Sequence, residues 1–168
     1  RRHSFPTRRS SDLYDQFSPH QDIISERLTT LHRLQYTSHA IVISAVSTLM
    51  HRLCPPDFLH HYAFILKEGD SLDRDRFSTQ MQQAGYHCVN QVLEHGEYAL
   101  RGSIIDIFPM GSANPFRIEL FDNTIDSLRL FDPDTQRTIE KISAINILPA
   151  REFPMNEQNI SHFRQEFR

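Results

Sequence analysis

A series of short apolar runs separated by turn residues, from Glu94 to Phe131, constrains the fold more than any other part of the chain. Its clearest member is Phe116–Phe121, in which apolar and other residues alternate. Because successive side chains of a strand point to opposite faces, this alternation predicts a strand with one apolar, core-facing side. The opposite side is a mixed face formed by Arg117, Glu119 and Phe121.

The mixed face is a candidate binding surface. A large aromatic beside an arginine is typical of the centre of a protein–protein contact. A half-buried edge strand with one exposed aromatic and an ordinary surface ion pair is the alternative. Arg101 extends the candidate surface, because the following Gly102 lies in an apolar strand and suggests a bulge or a close backbone approach. Its alternative is a plain surface arginine. We therefore predict a partner-binding set of Arg101, Arg117, Glu119 and Phe121.

The remaining patterns predict an α+β fold. Apolar residues at helical spacing indicate a helix over about Ile24–Leu34. Asp73 as N-cap and Gly85 after the C-terminus bound the main helix, which buries Phe77 and Met81. The predicted strands are His61–Lys67, Tyr86–Leu93, Glu97–Phe108, Phe116–Phe121, Ile125–Phe131 and Ala144–Leu148. One main helix with many antiparallel strands is an α+β module with a mostly antiparallel sheet.

A partial α/β segment precedes this module. The aliphatic and small residues of Ala40–Ala45 predict a strand buried on both faces. A short helix is expected from about Thr48, ended by Pro55-Pro56. Strand followed by helix is the order of an α/β sheet, of which only part is present here.

The first thirteen residues contain arginines but no apolar core and no cleavage site, so they are not a secretory signal. They resemble the translation of a sequencing-adapter oligonucleotide, and we expect residues 1–13 to be non-native. Without their four arginines and one aspartate the chain carries 14 basic and 20 acidic side chains. Such an acidic balance disfavours a general duplex-DNA surface, which needs a basic face to displace counterions.

The sequence predicts no nucleotide hydrolysis and no cofactor for this chain. A phosphate-binding P-loop needs a glycine-rich turn that ends in Gly-Lys-Ser or Gly-Lys-Thr. The two lysines, Lys67 and Lys141, are followed by Glu68 and Ile142. Neither lysine can therefore serve a P-loop.

Other catalytic and metal-binding patterns are weak. The thiols and imidazoles that could bind zinc fit no closed zinc motif, so we expect no metal. They are Cys54 with His51, His60 and His61, and Cys88 with His87 and His95. Glu94 and Glu97 could form an acid–base pair, although two surface carboxylates are the commoner explanation.

The chain has the composition expected of a cytoplasmic protein. Its longest aliphatic run, Ala40–Ile43, is far shorter than the ~20 residues that a membrane span needs. Two cysteines are too few for a disulfide framework and fit a reduced compartment.

Five blocks of sequence carry a family resemblance: Tyr14–Ser25, Glu94–Tyr98, Arg101–Ser103, Asp106–Ser112 and Phe131–Thr138. They closely resemble the N-terminal part of the bacterial transcription-repair coupling factors, and the likeness runs from Tyr14 to Arg168. The excision-repair protein UvrB shares the Arg-Gly and Ile-Phe-Pro patterns. UvrB carries a tyrosine-rich hairpin after its Tyr-Asp segment, whereas this chain continues directly into the helix at Asp22, which favours the coupling factors.

The resemblance implies three parts after the adapter-like segment. Residues 14–60 would be part of a degenerate helicase-like α/β domain, residues 61–148 a domain that binds UvrA, and residues 149–168 the truncated start of a following segment. The UvrA-facing residues of the family correspond to Arg101, Arg117 and Phe121. The resemblance and the alternation pattern therefore indicate the same face.

The resemblance also implies a role. This piece would be non-catalytic and would recruit UvrA to stalled RNA polymerase in transcription-coupled nucleotide excision repair. The parent protein would be an ATP- and Mg-dependent DNA translocase that binds RNA polymerase and duplex DNA, with a C-terminal domain masking the UvrA-binding face. The alternative is a nucleic-acid-binding module in which Arg101 and Arg117 contact phosphates.

Overall fold

A computed structural model describes residues 20–50, 53–153, 155, 160–161 and 164–165. It confirms an α+β fold with mostly antiparallel strands. The described helices are α1 (Gln21–Gln35), α2 (Val46–Leu49), α3 (Pro56–Tyr62) and α4 (Arg74–Gln83). The described strands are β1 (Phe64–Lys67), β2 (His87–Cys88), β3 (Glu97–Arg101), β4 (Ile104–Ile107), β5 (Phe116–Phe121), β6 (Thr124–Phe131), β7 (Thr138–Ile142) and β8 (Ala144–Ile147).

Six strands form the main sheet in the order β2-β3-β4-β5-β6-β7. From β3 to β7 each pair is antiparallel and consecutive in the chain, so this part of the sheet is a meander of hairpins. The two-residue strand β2 pairs in parallel with β3 at one edge. Strands β1 and β8 form a separate antiparallel pair.

One face of the main sheet joins the hydrophobic core. Ile105, Ile118 and Leu128 are fully buried on this face. They belong to one cluster with Met81 of α4 and Leu28 of α1, together with residues of α3, β1 and β8. The alternation predicted for β5 is confirmed for its core-facing residues, and the N-terminal helices share their core with the sheet module.

The helix predicted over about Ile24–Leu34 and the main helix predicted between Asp73 and Gly85 are confirmed. The short helix expected from about Thr48 is α2, which begins at Val46 and ends at Leu49, before the proline pair. Helix α1 covers the predicted Ile24–Leu34 and extends it by three residues at the N-terminal end and by one at the C-terminal end. At the start of α4, the Asp73 carboxylate accepts a hydrogen bond from the Arg76 backbone N–H at 2.8 Å. Gly85 follows the helix with a φ of +94°, a left-handed conformation that glycine adopts without steric cost.

Several strand predictions need correction. Glu97–Phe108 is not one strand but the hairpin of β3 and β4, because Gly102 and Ser103 form a turn between them. Of Tyr86–Leu93 only the two residues of β2 pair with a neighbour. Strand β7 was not predicted, since its residues are largely exposed and give no alternating pattern.

The proline pair was also interpreted wrongly. Pro56 does not only end the preceding segment; it occupies the first turn of α3, where a missing N–H and a fixed φ are favourable. His61 is consequently helical, and the strand predicted from His61 begins at Phe64.

The prediction of a buried strand at Ala40–Ala45 is wrong for the described chain. This segment forms no regular structure, and Ile41 and Ile43 are 93% and 94% exposed. Within the described residues no strand pairs with it, so its apolar side chains have no sheet to join. The adapter-like residues 1–13 lie outside the described residues. So do Tyr14–Pro19, which the sequence predicts as extended, and most of Met155–Arg168, which it predicts as helical.

Candidate partner-binding face

The partner-binding face predicted from the sequence consists of Arg101, Arg117, Glu119 and Phe121, and we call it the partner face. Three of these residues lie on β5, and their side chains become more exposed along the strand: 16% for Arg117, 32% for Glu119 and 73% for the whole residue Phe121. A bulge interrupts the pairing of β5 with β6, but the extra residue, Asp126, lies on β6. The alternation along β5 therefore continues to Phe121.

A buried carboxylate brings the two arginines of the partner face together. Asp106 lies on β4, opposite Arg117 in the register, and is 0% exposed. Its Oδ1 accepts a hydrogen bond from Arg117 Nε at 2.7 Å, and its Oδ2 accepts one from Arg117 Nη2 at 3.0 Å. Arg101 Nη2 donates to the same Oδ2. Three neighbouring strands thus each contribute one charged side chain to a single cluster.

Arg117 is held on several sides. Its guanidinium carbon lies 4.8 Å from the centre of the Phe131 ring, within the range of a cation–π contact. Its Nη1 donates to the Gln136 carbonyl oxygen at 3.4 Å. The hydrogen bond to Asp106 is the main cause that raises the pKa of Arg117 above its usual value. Arg117 is therefore a fixed cation, while Arg101, with 47% of its side chain exposed, can reach a partner more freely.

A second charged group continues the face across β6. Ser127 Oγ donates to Glu119 Oε2 at 2.6 Å, and Arg129 Nη2 lies 3.5 Å from the same oxygen. In the strand register, Arg129 of β6 lies opposite Arg117 of β5 on one side and opposite Lys141 of β7 on the other. The sheet therefore carries a basic row over three strands, balanced in part by Glu119 and Asp106.

Phe121 ends β5 at a tight connection to β6. Asp122, the next residue, has a φ of +54°, which lets the chain reverse. This hairpin end is tied to the segment before α4 by backbone hydrogen bonds. The Leu72 N–H donates to the Asn123 carbonyl oxygen at 2.7 Å, and the Ile125 N–H donates to the Asp70 carbonyl oxygen at 2.9 Å. The exposed ring is thus mounted on an anchored turn.

The structure brings together all four residues predicted for the partner face on one side of the main sheet. Sequence reasoning missed Asp106 and Arg129. Asp106 did have a signal, because it is a single charge between Ile105 and Ile107. A charge inside an apolar strand needs a cationic partner when it is buried. Arg129 had no comparable signal, since its position depends on the pairing of β5 with β6.

The other candidate sites are not assembled. Glu97 Oε2 accepts the backbone N–H groups of Leu93 and Glu94 at 2.8 and 2.9 Å, so this carboxylate stabilises the turn before β3. In the described ranges, no three histidine, cysteine or acidic side chains lie together as a metal site would require. His51, part of one proposed ligand group, lies outside those ranges.

None of the described helices has the length and hydropathy to cross a bilayer.

Comparison with known proteins gives this face a family context. A family model described as the UvrB interaction domain matches residues 64–153. The chain is 56% identical to a transcription-repair-coupling factor of Haemophilus influenzae and 54% identical to one of Escherichia coli, in each case over 92% of the chain and 14% of the relative. One of Bacillus subtilis is 36% identical over 78% of the chain and 11% of the relative. The predicted likeness to the coupling factors is confirmed, and the chain spans about a seventh of the length of the first two relatives. It belongs to the UvrB interaction domain family.

Proposed function

We propose that this chain is a non-catalytic module that binds UvrA, with residues 61–148 as the binding domain and the partner face as the contact. The observation that carries the proposal is the pairing of Arg101 and Arg117 on Asp106, on the side of the sheet that also exposes Phe121. Arginine and aromatic side chains dominate the binding energy of many protein interfaces. Membership of the UvrB interaction domain family supports a partner among the excision-repair proteins.

The geometry indicates what the partner surface should offer. Arg117 and Phe121 are four residues apart on one strand, a separation of about 13 Å between their backbone positions. Arg101 still has guanidinium donors that Asp106 does not use, and these suit a carboxylate in a two-pronged hydrogen-bonding arrangement. The exposed ring of Phe121 suits an apolar pocket. We expect UvrA to present an acidic side chain for Arg101 and such a pocket for Phe121.

The proposed role in the whole protein follows from its relatives. They are transcription-repair-coupling factors, and we propose that this module recruits UvrA to stalled RNA polymerase in the cytoplasm during transcription-coupled nucleotide excision repair. ATP, Mg²⁺, duplex DNA and RNA polymerase would be bound by other parts of the parent translocase. A C-terminal domain of the parent would mask the partner face until the motor engages.

Calorimetric titration of purified UvrA with the chain tests the proposal. Arg101→Glu replaces the most exposed cation of the cluster with a negative charge, which would repel an acidic partner. A central arginine contributes about 2 kcal/mol, so this variant should bind roughly thirtyfold more weakly or not measurably. Arg33→Glu is the matched control, because Arg33 is exposed on α1. Equal affinities of the wild type and Arg101→Glu, or no binding of the wild type, would refute the proposal.

A nucleic-acid contact is the second candidate function. The basic row of Arg117, Arg129 and Lys141 across three strands favours it. Phosphate binding would make affinity fall steeply as the salt concentration rises. The slope of log affinity against log salt concentration is proportional to the number of phosphate contacts. Titration of single- and double-stranded DNA at low and moderate salt separates the candidates, and negligible binding at low salt removes this one.

A further inference from the structure

We propose that Asp106 is a positioning residue for partner binding: it sets the place and direction of the Arg101 and Arg117 guanidiniums that the partner meets. This inference rests on the proposed function and adds to it a residue that the partner does not touch. Asp106 is 0% exposed, so a partner that docks on the surface has no direct access to it.

The stability of the fold alone does not account for a carboxylate at this position. Burying a charge is unfavourable unless it is paired, and a buried ion pair is often no more stabilising than apolar residues of similar size. The flanking residues Ile105 and Ile107 are fully buried on the opposite, core-facing side of β4. Apolar residues in place of Asp106 and its arginine partners together would be compatible with a stable strand. The reason for a carboxylate at this position therefore lies in the groups that its two oxygens bind.

Both oxygens of Asp106 hold guanidiniums in defined directions. Arg117 binds through Nε at 2.7 Å and Nη2 at 3.0 Å, which is a bidentate pair and fixes the plane of the guanidinium. Arg101 binds through Nη2 to Oδ2, the same oxygen that accepts from Arg117 Nη2. Two cations so close would repel each other without the carboxylate between them. Asp106 is thus the group that keeps both arginines on one spot of the sheet.

Arg101 depends most on this contact. It is the last residue of β3, beside the turn at Gly102 and Ser103, and its side chain is 47% exposed. Among the described residues, Asp106 accepts the side-chain hydrogen bond of Arg101 and forms its ion pair. Without Asp106, Arg101 would sample many rotamers in the free chain and would lose this freedom on binding. Arg117 has the additional contacts with Phe131 and Gln136, so it should move less.

Asp106→Asn tests the inference because it keeps the shape and removes the charge. The amide presents one acceptor and one donor, and the donor faces guanidinium N–H groups. We expect UvrA affinity to fall about tenfold, since two guanidiniums lose their fixed directions. Charge alone predicts the opposite, because one carboxylate fewer makes the face more attractive to an acidic partner. Glu140→Gln, an exposed carboxylate on β7, is the charge-matched control and should leave affinity within about twofold.

Two further measurements separate positioning from a merely structural role. In a double-mutant cycle, Asp106→Asn should have a much smaller effect on affinity in an Arg101→Ala background than in the wild type, because the positioned group is already absent. In the free wild-type chain, NMR of the arginine side chains should show restricted rotation of the Arg101 guanidinium and slow solvent exchange of the Arg117 Nε proton. The NMR measurement needs no variant and remains decisive if Asp106→Asn does not fold.

The outcomes are distinct. A folded Asp106→Asn with unchanged or higher affinity would overturn the inference, as would fully additive effects in the cycle or free rotation of Arg101 in the wild type. If Arg101→Ala and Phe121→Ala weaken binding while Asp106→Asn does not, the proposed function stands and only the positioning role is lost. If the wild-type chain does not bind UvrA, the proposed function and this inference are both refuted.

Discussion

Replacement of Phe121 by alanine should separate binding from stability more cleanly than any other change on the partner face. Phe121 is 73% exposed in the free chain. A buried phenylalanine covers about 200 Å², so a partner can cover roughly 150 Å² of this residue. At about 25 cal/mol per Å², full coverage would stabilise the complex by roughly 3–4 kcal/mol. Ordering costs reduce this, and we expect Phe121→Ala to lower UvrA affinity by about 2 kcal/mol, or roughly thirtyfold.

The same residue should matter little for folding. The quarter of its surface that is already covered corresponds to about 1 kcal/mol at the same coefficient, part of which the alanine retains. Calorimetric titration with UvrA gives the affinity, and urea denaturation of each variant gives the free energy of unfolding. Ile65→Ala is the control, since Ile65 is 59% exposed on β1, outside the main sheet. It should change neither quantity by more than about 1 kcal/mol.

Two results would contradict this reasoning. Phe121→Ala could bind UvrA as tightly as the wild type, in which case the exposed ring is not a contact. Alternatively, Phe121→Ala could lower the free energy of unfolding by several kcal/mol, of the size seen for buried aromatics. The ring would then contribute to the core in solution, and its exposure would not mark a binding site.

Three further predictions concern local structure. Asp73→Ala removes the N-cap of α4 and should lower the free energy of unfolding by about 1 kcal/mol in urea denaturation; no change would mean that the cap is not formed. Burial is the main cause that raises the pKa of Cys54 to about 12, so at pH 8 a thiol reagent should modify the exposed Cys88 alone, and modification of both would contradict the burial. Hydrogen bonds from Thr135 lower the pKa of Asp132 below its ordinary value of 3.8, so its stabilising contribution is present above pH 3.8 and is lost as the pH falls through the lowered value. The difference in thermal midpoint between the wild type and Asp132→Asn should shrink below pH 3.8, and a constant difference would contradict this assignment.

Local patterns predicted the elements that their own residues determine. Phe116–Phe121 is a strand within its predicted bounds because its alternation matches the pleat. Helix α4 lies between Asp73 and Gly85 because a side-chain cap and a left-handed residue act within one turn. The apolar and polar sides of β5 followed from the same alternation, and so did the exposure of Phe121.

The features that the sequence did not predict depend on pairing between strands. Ala40–Ala45 has the composition of a buried strand, but burial requires a neighbouring strand, which the described part of the chain does not provide. Asp106 meets both arginines of the partner face only when β4 lies between β3 and β5. Side-chain alternation predicts which residues share a face of one strand, whereas the register between strands decides which charges meet.

The tether between the β5–β6 turn and the segment before α4 has a kinetic consequence. Hydrogen bonds at Leu72 and Ile125 hold the turn beside Phe121 in the unbound chain, so no loop must fold before the ring can dock. Capture of UvrA should then proceed at the rate of a rigid encounter, about 10⁵–10⁷ per molar per second, without a lag. Changes in residues 69–72 that loosen the turn should shorten the lifetime of the complex although these residues lie outside the face itself. Residues 69–72 would thus influence how long UvrA stays bound without contacting UvrA themselves.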